Sequence, residues 1–332
     1  MNRLAIVGGG SWGTALAIVL SRRFEQVRLW VYEPDLAERM VATRQNDVYL
    51  PGAELPANIH IFSDLSVTLD KSPMVLSVVP SHLVRHLYRQ MLPMLDESMQ
   101  FVSATKGLET DSLLRMSEVI REVVRERFDP RLAVISGPSF AKEVARGDPT
   151  AIVVSSEDKD FAVHVQERFS GPTFRMYTTG DTISVEIGGA IKNVVAIGAG
   201  VLHGLNLGHN VTAALITRGL AEMTRLATAM GGSPLTMAGL AGLGDLVLTC
   251  TGELSRNRTV GIELSRGRKL PEIVSSMKMV AEGIKTTDVA VDLAKRYAVE
   301  MPIAEHMFRM LHFEMSPREA IQRLMERSLK DE

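Results

Sequence analysis

A short apolar run, Leu4–Val7, leads directly into Gly8-Gly9-Gly10-Ser11-Trp12-Gly13 and then into a helical pattern over Trp12–Arg23. Gly8, Gly10 and Gly13 have the spacing G-x-G-x-x-G, and nothing else in the chain restricts the fold so tightly. The first glycine permits a sharp turn out of a strand, and the second lets backbone approach a pyrophosphate. The third lets helix and strand pack closely while the helix N-terminus faces the anion. The hexapeptide alone is a weak signal that gains meaning from a preceding strand, a following helix and a distal acid. Glu33 is that acid, twenty residues after Gly13 at the end of a second strand-like run, Val27–Tyr32. A carboxylate there accepts hydrogen bonds from both ribose hydroxyls and repels a 2′-phosphate. No arginine follows it before Arg39, so NAD is favoured, with NADP possible. The alternative is a solvated loop acid. A flavin enzyme can start the same way, but no second nucleotide-binding motif is found.

Further apolar runs at Val75–Val79, Phe101–Ala104, Leu132–Ile135 and Ile152–Val154 alternate with helical patterns. Alternation of this kind predicts parallel strands joined by crossovers, hence an α/β class with an N-terminal Rossmann-like, doubly wound sheet. From Asp181 onward strand-like runs disappear, and long helical periodicities take over, among them Thr212–Met230 and Thr286–Arg296. The expected organisation is a dinucleotide-binding domain over 1–180 and an all-helical substrate-binding and catalytic domain over 181–332.

The 37 Lys+Arg against 39 Asp+Glu give a net charge of −2, which argues against nucleic acid or an anionic membrane as partner. Cys250 is the one cysteine and has no partner for a disulfide or a thiolate zinc site. Leu4–Val7 is too short for the apolar core of a signal peptide, and no uninterrupted apolar run reaches the length of a membrane span. A soluble, cytoplasmic protein with small-molecule partners is expected.

Of the 26 glycines, 13 fall between Gly180 and Gly244. Within Glu186–Gly200 the pattern reads as a buried helix with small residues on one face. A glycine inside a helix costs about 1 kcal/mol relative to alanine. Four of them therefore need a compensating reason, such as close approach of another backbone or a ligand. Between Glu186 and His203, Lys192 and Asn193 are the only strongly polar residues. Lys192 is read either as a lysine reaching solvent or as a proton-transfer group, since apolar surroundings ease loss of a lysine's proton. Asp245, after Gly239-Leu240-Ala241-Gly242-Leu243-Gly244, reads as a helix-start carboxylate or a simple cap. Ser255-Arg256-Asn257 sets a hydroxyl, a guanidinium and an amide side by side, a set suited to a phosphate or to a surface turn.

At these residues the chain resembles the NAD(P)-dependent glycerol-3-phosphate dehydrogenases over nearly its whole length. Gly8–Leu16, Tyr49-Leu50-Pro51-Gly52, Lys106-Gly107-Leu108-Glu109, and Gly137-Pro138-Ser139-Phe140-Ala141 with Glu143-Val144 look like the family's motifs. Gly189–Gly200, Gly239–Asp245, Ser255–Asn257 and Val280-Ala281-Glu282-Gly283 continue the match in order. The resemblance implies reversible hydride transfer between NAD(P)H and dihydroxyacetone phosphate, giving sn-glycerol 3-phosphate for phospholipid synthesis, and a homodimer. It makes Lys192 the proton donor and acceptor, Lys106 a contact to cofactor and substrate, and Asp245 the group that orients them. Cofactor contacts are implied for Gly8, Gly10, Ser11, Trp12, Gly13 and Glu33, with Ala141, Arg256, Val280 and Glu282. Substrate contacts are implied for Gly137, Ser139, Asn193, Thr249, Ser255, Arg256 and Asn257. Many bacterial members carry an arginine near the end of the second strand. Here Trp30-Val31-Tyr32-Glu33 looks more like the NAD-preferring eukaryotic relatives.

Other features carry less. Arg115, Arg121, Arg125, Arg127 and Arg131 interleave with Glu118, Glu122 and Glu126, so a solvated, ion-paired face is expected. His203 and His209 lack a carboxylate or cysteine at metal spacing, and no metal site is expected. Two readings compete with the leading one. A β-hydroxyacid-type dehydrogenase also joins a Rossmann domain to a helical one with a catalytic lysine. A catalytically silent NAD-binding redox sensor would need no proton donor.

Overall fold

The computed structural model describes residues 2–277 and 279–328. Contacts divide the chain into two compact units, residues 1–106 with 114–186, and residues 107–113 with 187–332. The first unit runs six residues past the change of texture at 180. The short excursion 107–113 is marked by no shift in composition.

Unit one is built on β1 (Arg3–Val7), β2 (Gln26–Trp30), a small antiparallel ribbon of β3 (Gln45–Asn46) and β4 (Leu50–Glu54), then β5 (Ile59–Phe62), β6 (Met74–Ser77), β7 (Gln100–Ser103), β8 (Arg131–Ser136), β9 (Thr150–Ser155) and β10 (Phe174–Thr179). Apart from the ribbon, all lie in one eight-stranded sheet ordered β10-β9-β8-β7-β6-β1-β2-β5. Chain order reverses between β1 and β6, which makes the crevice beyond their carboxyl ends the place where this kind of sheet binds ligands. Side chains on β1 alternate between two cores. Leu4 and Ile6 pack with the helices Ser11–Leu20, Ala141–Arg146 and Lys159–Phe169, whereas Ala5 and Val7 pack with Val84–Met91 and Met116–Val124. The sheet is therefore covered on both faces, as the doubly wound reading requires.

One expectation needs correction. The pairing is parallel from β5 across to β8, but β9 runs antiparallel to β8, and β10 follows β9. The link from β8 to β9 holds a helix of only six residues, Ala141–Arg146. The link does not carry the chain back along the sheet, and β9 starts at the end where β8 stopped.

Unit two contains helices and no strand among the described residues. Its longest is Thr182–Gly204, whose first five residues count with unit one; an 18-residue window of it is buried throughout. His209–Ala229, Arg256–Ser265, Gly283–Arg296, Pro302–Leu311 and Pro317–Met325 are the other larger helices, and Asp245–Thr251 is a shorter one.

Candidate active site

The glycine turn sits at the reversal of strand order. Gly8 has φ +128°, and a Cβ there would lie 2.3 Å from the carbonyl oxygen of Val78, at the end of β6. A Cβ on Gly13 would lie 1.8 Å from the Gly8 carbonyl oxygen, so turn and helix touch backbone to backbone. Above Gly10, by contrast, a Cβ would meet nothing within 4 Å, leaving the approach open. Ser11, Trp12 and Gly13 form the first helical turn, whose N–H groups have no carbonyl one turn earlier to bind. No acidic side chain stands in that turn. The Trp12 indole Nε1 is buried with no hydrogen-bond partner among the described residues. A tight turn, an open middle glycine and donors at a helix N-terminus fit the pyrophosphate of a dinucleotide.

Glu33 follows β2 at the N-cap position of the helix Pro34–Thr43, yet its side chain caps nothing. Its Oε1 accepts a hydrogen bond from the Tyr49 hydroxyl at 2.6 Å. Tyr32 beside it is exposed. Farther along the sheet, Lys106 Nζ and Ser139 Oγ each donate to the Gly137 carbonyl oxygen at 2.9 Å. Gly137 has φ +145°, and a Cβ there would crowd the Ile152 backbone at 2.9 Å, so the G-P-S turn requires glycine. Ala141 opens the helix that follows.

In unit two the buried Lys192 ammonium donates to Asp245 Oδ1, and to Thr249 Oγ1 at 2.9 Å. Thr249 in turn donates to the Asp245 backbone carbonyl at 2.6 Å. Lys192 thus does not reach for solvent, and Asp245 faces it from the first turn of Asp245–Thr251 rather than capping that helix. Gly242 makes this possible, since a Cβ there would strike the Met237 carbonyl oxygen at 2.0 Å. Cys250 is buried on the same helix, and burial pushes its thiol up to about 12, so it is no nucleophile.

Beside this pair, Asn257 Nδ2 donates to Asn193 Oδ1, and its own Oδ1 accepts from the Gly283 N–H, each at 2.9 Å. Ser255 is the N-cap of Arg256–Ser265 and accepts from the Arg258 N–H, so the segment opens a helix rather than making a surface turn. Arg256 Nη1 donates to the Val280 carbonyl oxygen at 2.9 Å, and the exposed Val280 stands two residues before Glu282. The approach of these helices explains Gly200, and Gly188 similarly faces another backbone, the Ala241 carbonyl oxygen lying 2.5 Å from where its Cβ would be. A Cβ on Gly200 would lie 1.9 Å from the Arg258 carbonyl oxygen, and one on Gly261 would lie 1.9 Å from that of Ile197. A Cβ on Gly204 would meet the Ser265 side-chain oxygen at 1.9 Å and the Ile262 carbonyl oxygen at 3.0 Å. From Asn193–Asn257 to Gly204–Ser265 the contacts advance along both helices, which run side by side in one direction.

Sequence reasoning missed Asn46 and assigned Tyr49 no role. Asn46 is fully buried, and its Nδ2 donates to the Gly9 carbonyl and Thr14 Oγ1, both at 2.8 Å. A lone Asn in a polar loop carries no signal of such a contact. The arginine strip also needs correction. Arg121, Arg125 and Arg131 pair with Glu157, Asp129 and Asp158, not with the interleaved glutamates. Arg115 is buried against Glu186 at 2.8 Å, with Glu118 on its other side. Burial pushes the Glu186 carboxyl up, against the pull of Arg115. Among the described residues no group of three His, Cys, Asp or Glu side chains could hold a metal ion.

Residues 3–162 match the model of the NAD-dependent glycerol-3-phosphate dehydrogenase N-terminus, and residues 181–322 match that of its C-terminus. The chain is 58% identical over 329 residues to glycerol-3-phosphate dehydrogenase [NAD(P)+] of Koribacter versatilis, covering 98% of each chain. It is 51% identical to the protein of that name from Geobacter sp. strain M21, covering 100% of this chain and 99% of the relative. The crystal structure of glycerol-3-phosphate dehydrogenase from Coxiella burnetii superposes with a TM-score of 0.94 at 42% identity, covering 98% of this chain and 99% of that one. With both halves matched and the fold shared, this chain belongs to the NAD-dependent glycerol-3-phosphate dehydrogenase family.

Proposed function

We propose that Lys192 moves the proton in a reversible reduction of dihydroxyacetone phosphate to sn-glycerol 3-phosphate, with NADH as the preferred hydride donor. The observation that carries this reading is the buried ammonium of Lys192, held by Asp245 and Thr249 within a chain of this family. A bound nicotinamide supplies and takes back the hydride. Reduction of a ketone builds negative charge on its oxygen, and the Lys192 ammonium both stabilises that charge and delivers a proton to it. In oxidation the same nitrogen takes the proton from the hydroxyl. Asp245 holds the side chain in place by its charge, and Thr249 fixes the direction of Nζ by accepting from it. Lys106, fixed on the Gly137 carbonyl with Ser139 beside it, serves cofactor and substrate in unit one. Ser255, Arg256, Asn257 and Asn193 hold the phosphate end, which does not react and whose binding orients the ketone.

Gly8, Gly10, Ser11, Trp12 and Gly13 would hold the pyrophosphate, and Glu33 the adenosine ribose. Ala141, Arg256, Val280 and Glu282 complete the cofactor contacts. The preference for NADH rests on Glu33, since a carboxylate disfavours a 2′-phosphate. A cytoplasmic homodimer serving glycerophospholipid synthesis is the setting we infer; symmetric dimers are the commonest assembly, and Cys250 is a free thiol. A silent redox sensor would have no use for a buried lysine beside an aspartate.

The test is NADH oxidation in the presence of dihydroxyacetone phosphate, with the Lys192→Ala variant run alongside. Loss of a proton donor should lower kcat by about 10²–10⁴-fold while NADH still binds. Full activity in the variant would remove Lys192 from the mechanism, and kcat/KM with NADPH equal to or above that with NADH would refute the preference.

A further inference from the structure

We propose that Tyr49 is a specificity-determining residue. Its phenol sets the Glu33 carboxylate to receive the free 2′,3′-diol of an unphosphorylated ribose, and Asn46 ties that carboxylate's support to the glycine turn. The proposal rests on the reading of Gly8–Gly13 and Glu33 as a dinucleotide site.

Three observations carry it. A glutamate at a helix N-cap position ordinarily turns toward the N–H groups of the first turn or toward water, but Glu33 makes no cap bond. Its Oε1 is instead held by the Tyr49 hydroxyl at 2.6 Å, the length of a charge-assisted O–H···O⁻ bond. That bond, together with the half-buried setting, pushes the phenol up to about 12, so it remains a donor at every pH the enzyme would meet. Glu33 Oε2 accepts no hydrogen bond among the described residues, and Oε1 keeps a second lone pair. The carboxylate therefore has acceptor capacity left for two hydroxyl donors, with its rotamer already chosen.

The loop that carries Tyr49 is itself fixed. Asn46 Oδ1 accepts from the Tyr49 N–H at 3.0 Å, while Asn46 Nδ2 binds the Gly9 carbonyl and Thr14 Oγ1. The chain Gly9–Asn46–Tyr49–Glu33 links the turn that would hold the pyrophosphate to the acid that would hold the ribose. Both ends of the adenosine diphosphate half are then presented at a set separation. A dinucleotide with a free diol gains from an oriented acceptor, because the loss of Glu33 freedom has been met before binding. A 2′-phosphate gains nothing from it, since the same bond keeps the negative charge in its path.

Direct titrations with NADH and NADPH, following protein fluorescence, test this without turnover. The proteins are the parent, Tyr49→Phe, Glu33→Gln and the double variant, with melting temperatures showing that each is folded. Tyr49→Phe should raise the Kd for NADH about tenfold and leave that for NADPH within about twofold. In the Glu33→Gln background the same change should have almost no effect, because Tyr49 acts through the carboxylate. Equal weakening of both dinucleotides by Tyr49→Phe would mark a structural role and overturn the proposal. If Glu33→Gln shifts the NADH/NADPH ratio and Tyr49→Phe does not, the proposal falls while the reading of Glu33 stands. If neither variant alters NADH binding, the reading of Glu33 falls with it.

Discussion

Replacing Gly200 and Gly261 with alanine, singly and together, probes the helix crossing on which the catalytic half depends. Each added methyl would sit 1.9 Å from a backbone carbonyl oxygen across the crossing, where side-chain carbons keep at least 3.0 Å. The obstacle is backbone, so no rotamer change relieves it, and the helices Thr182–Gly204 and Arg256–Ser265 must part by about 1.1 Å. Forced overpacking of this kind costs up to about 3 kcal/mol. Parting also stretches the 2.9 Å bond from Asn257 to Asn193, a loss of about 1 kcal/mol. Alanine returns about 1 kcal/mol through its better helix propensity. The net expectation is about 3 kcal/mol for either variant. Because one separation accommodates both methyls while each alanine returns its own helix propensity, the double variant should lose about 2 kcal/mol, far short of the additive sum. Urea unfolding gives the stabilities, and modification of the single, buried Cys250 by a disulfide reagent reports opening of unit two under native conditions. Gly208→Ala is the control, since a Cβ there meets nothing within 4 Å. A Gly200→Ala variant within 0.5 kcal/mol of the parent, or strict additivity in the pair, would refute the close-crossing account.

Two further outcomes follow from groups described above or packed nearby. Gly13→Ala, with its Cβ 1.8 Å from the Gly8 carbonyl oxygen, should displace the turn and raise the Kd for NADH at least tenfold in a fluorescence titration; unchanged binding would remove the turn from the cofactor site. Glu222 is buried and accepts from the Ile303 and Ala304 N–H groups at the start of Pro302–Leu311; burial pushes its carboxyl up to about 7 from an ordinary 4.5, against those two bonds and the pull of Arg225 and Arg327. The folded state then holds a proton that the unfolded state has released between pH 4.5 and 7, so its contribution to stability declines across that window, by on the order of 3 kcal/mol, and levels off above it. Glu222→Gln should flatten that part of the stability–pH curve, and an unchanged slope would show that Glu222 is not its source.

The fold was legible where local pattern and chemistry agree. The glycine turn, β1, β2 and the distal acid are a contiguous signal with one physical solution, and the change of texture near 180 marks the end of the strands. β5 and β10 were not read, because Ile59–Phe62 and Phe174–Thr179 are edge strands whose half-buried residues mix polar and apolar. The reversal at β9 depends on the path taken by the link between β8 and β9, which periodicity does not register. At the candidate site, Lys192 stood out as a polar residue in an apolar helix, but its two readings could not be separated locally. Asp245 lies 53 residues away, and only the tertiary fold brings the two together. Arg115 was misread for a related reason. Its spacing to Glu118 is that of a surface pair, while the buried Glu186 is 71 residues distant.

The helix Thr182–Gly204 also has a history in time. The residues that close over its glycine face, at Leu215, Ala241, Arg258, Gly261, Ser265 and Met307, all come later in the chain. At roughly 5–20 residues per second, a ribosome that has just finished this helix needs roughly 5–20 s to reach Met307, the last of them. Throughout that interval one of the most apolar stretches of the polypeptide exists without its cover, while the sheet made before it can already be assembling. The pace of synthesis between Gly204 and Met307 sets how long that exposure lasts.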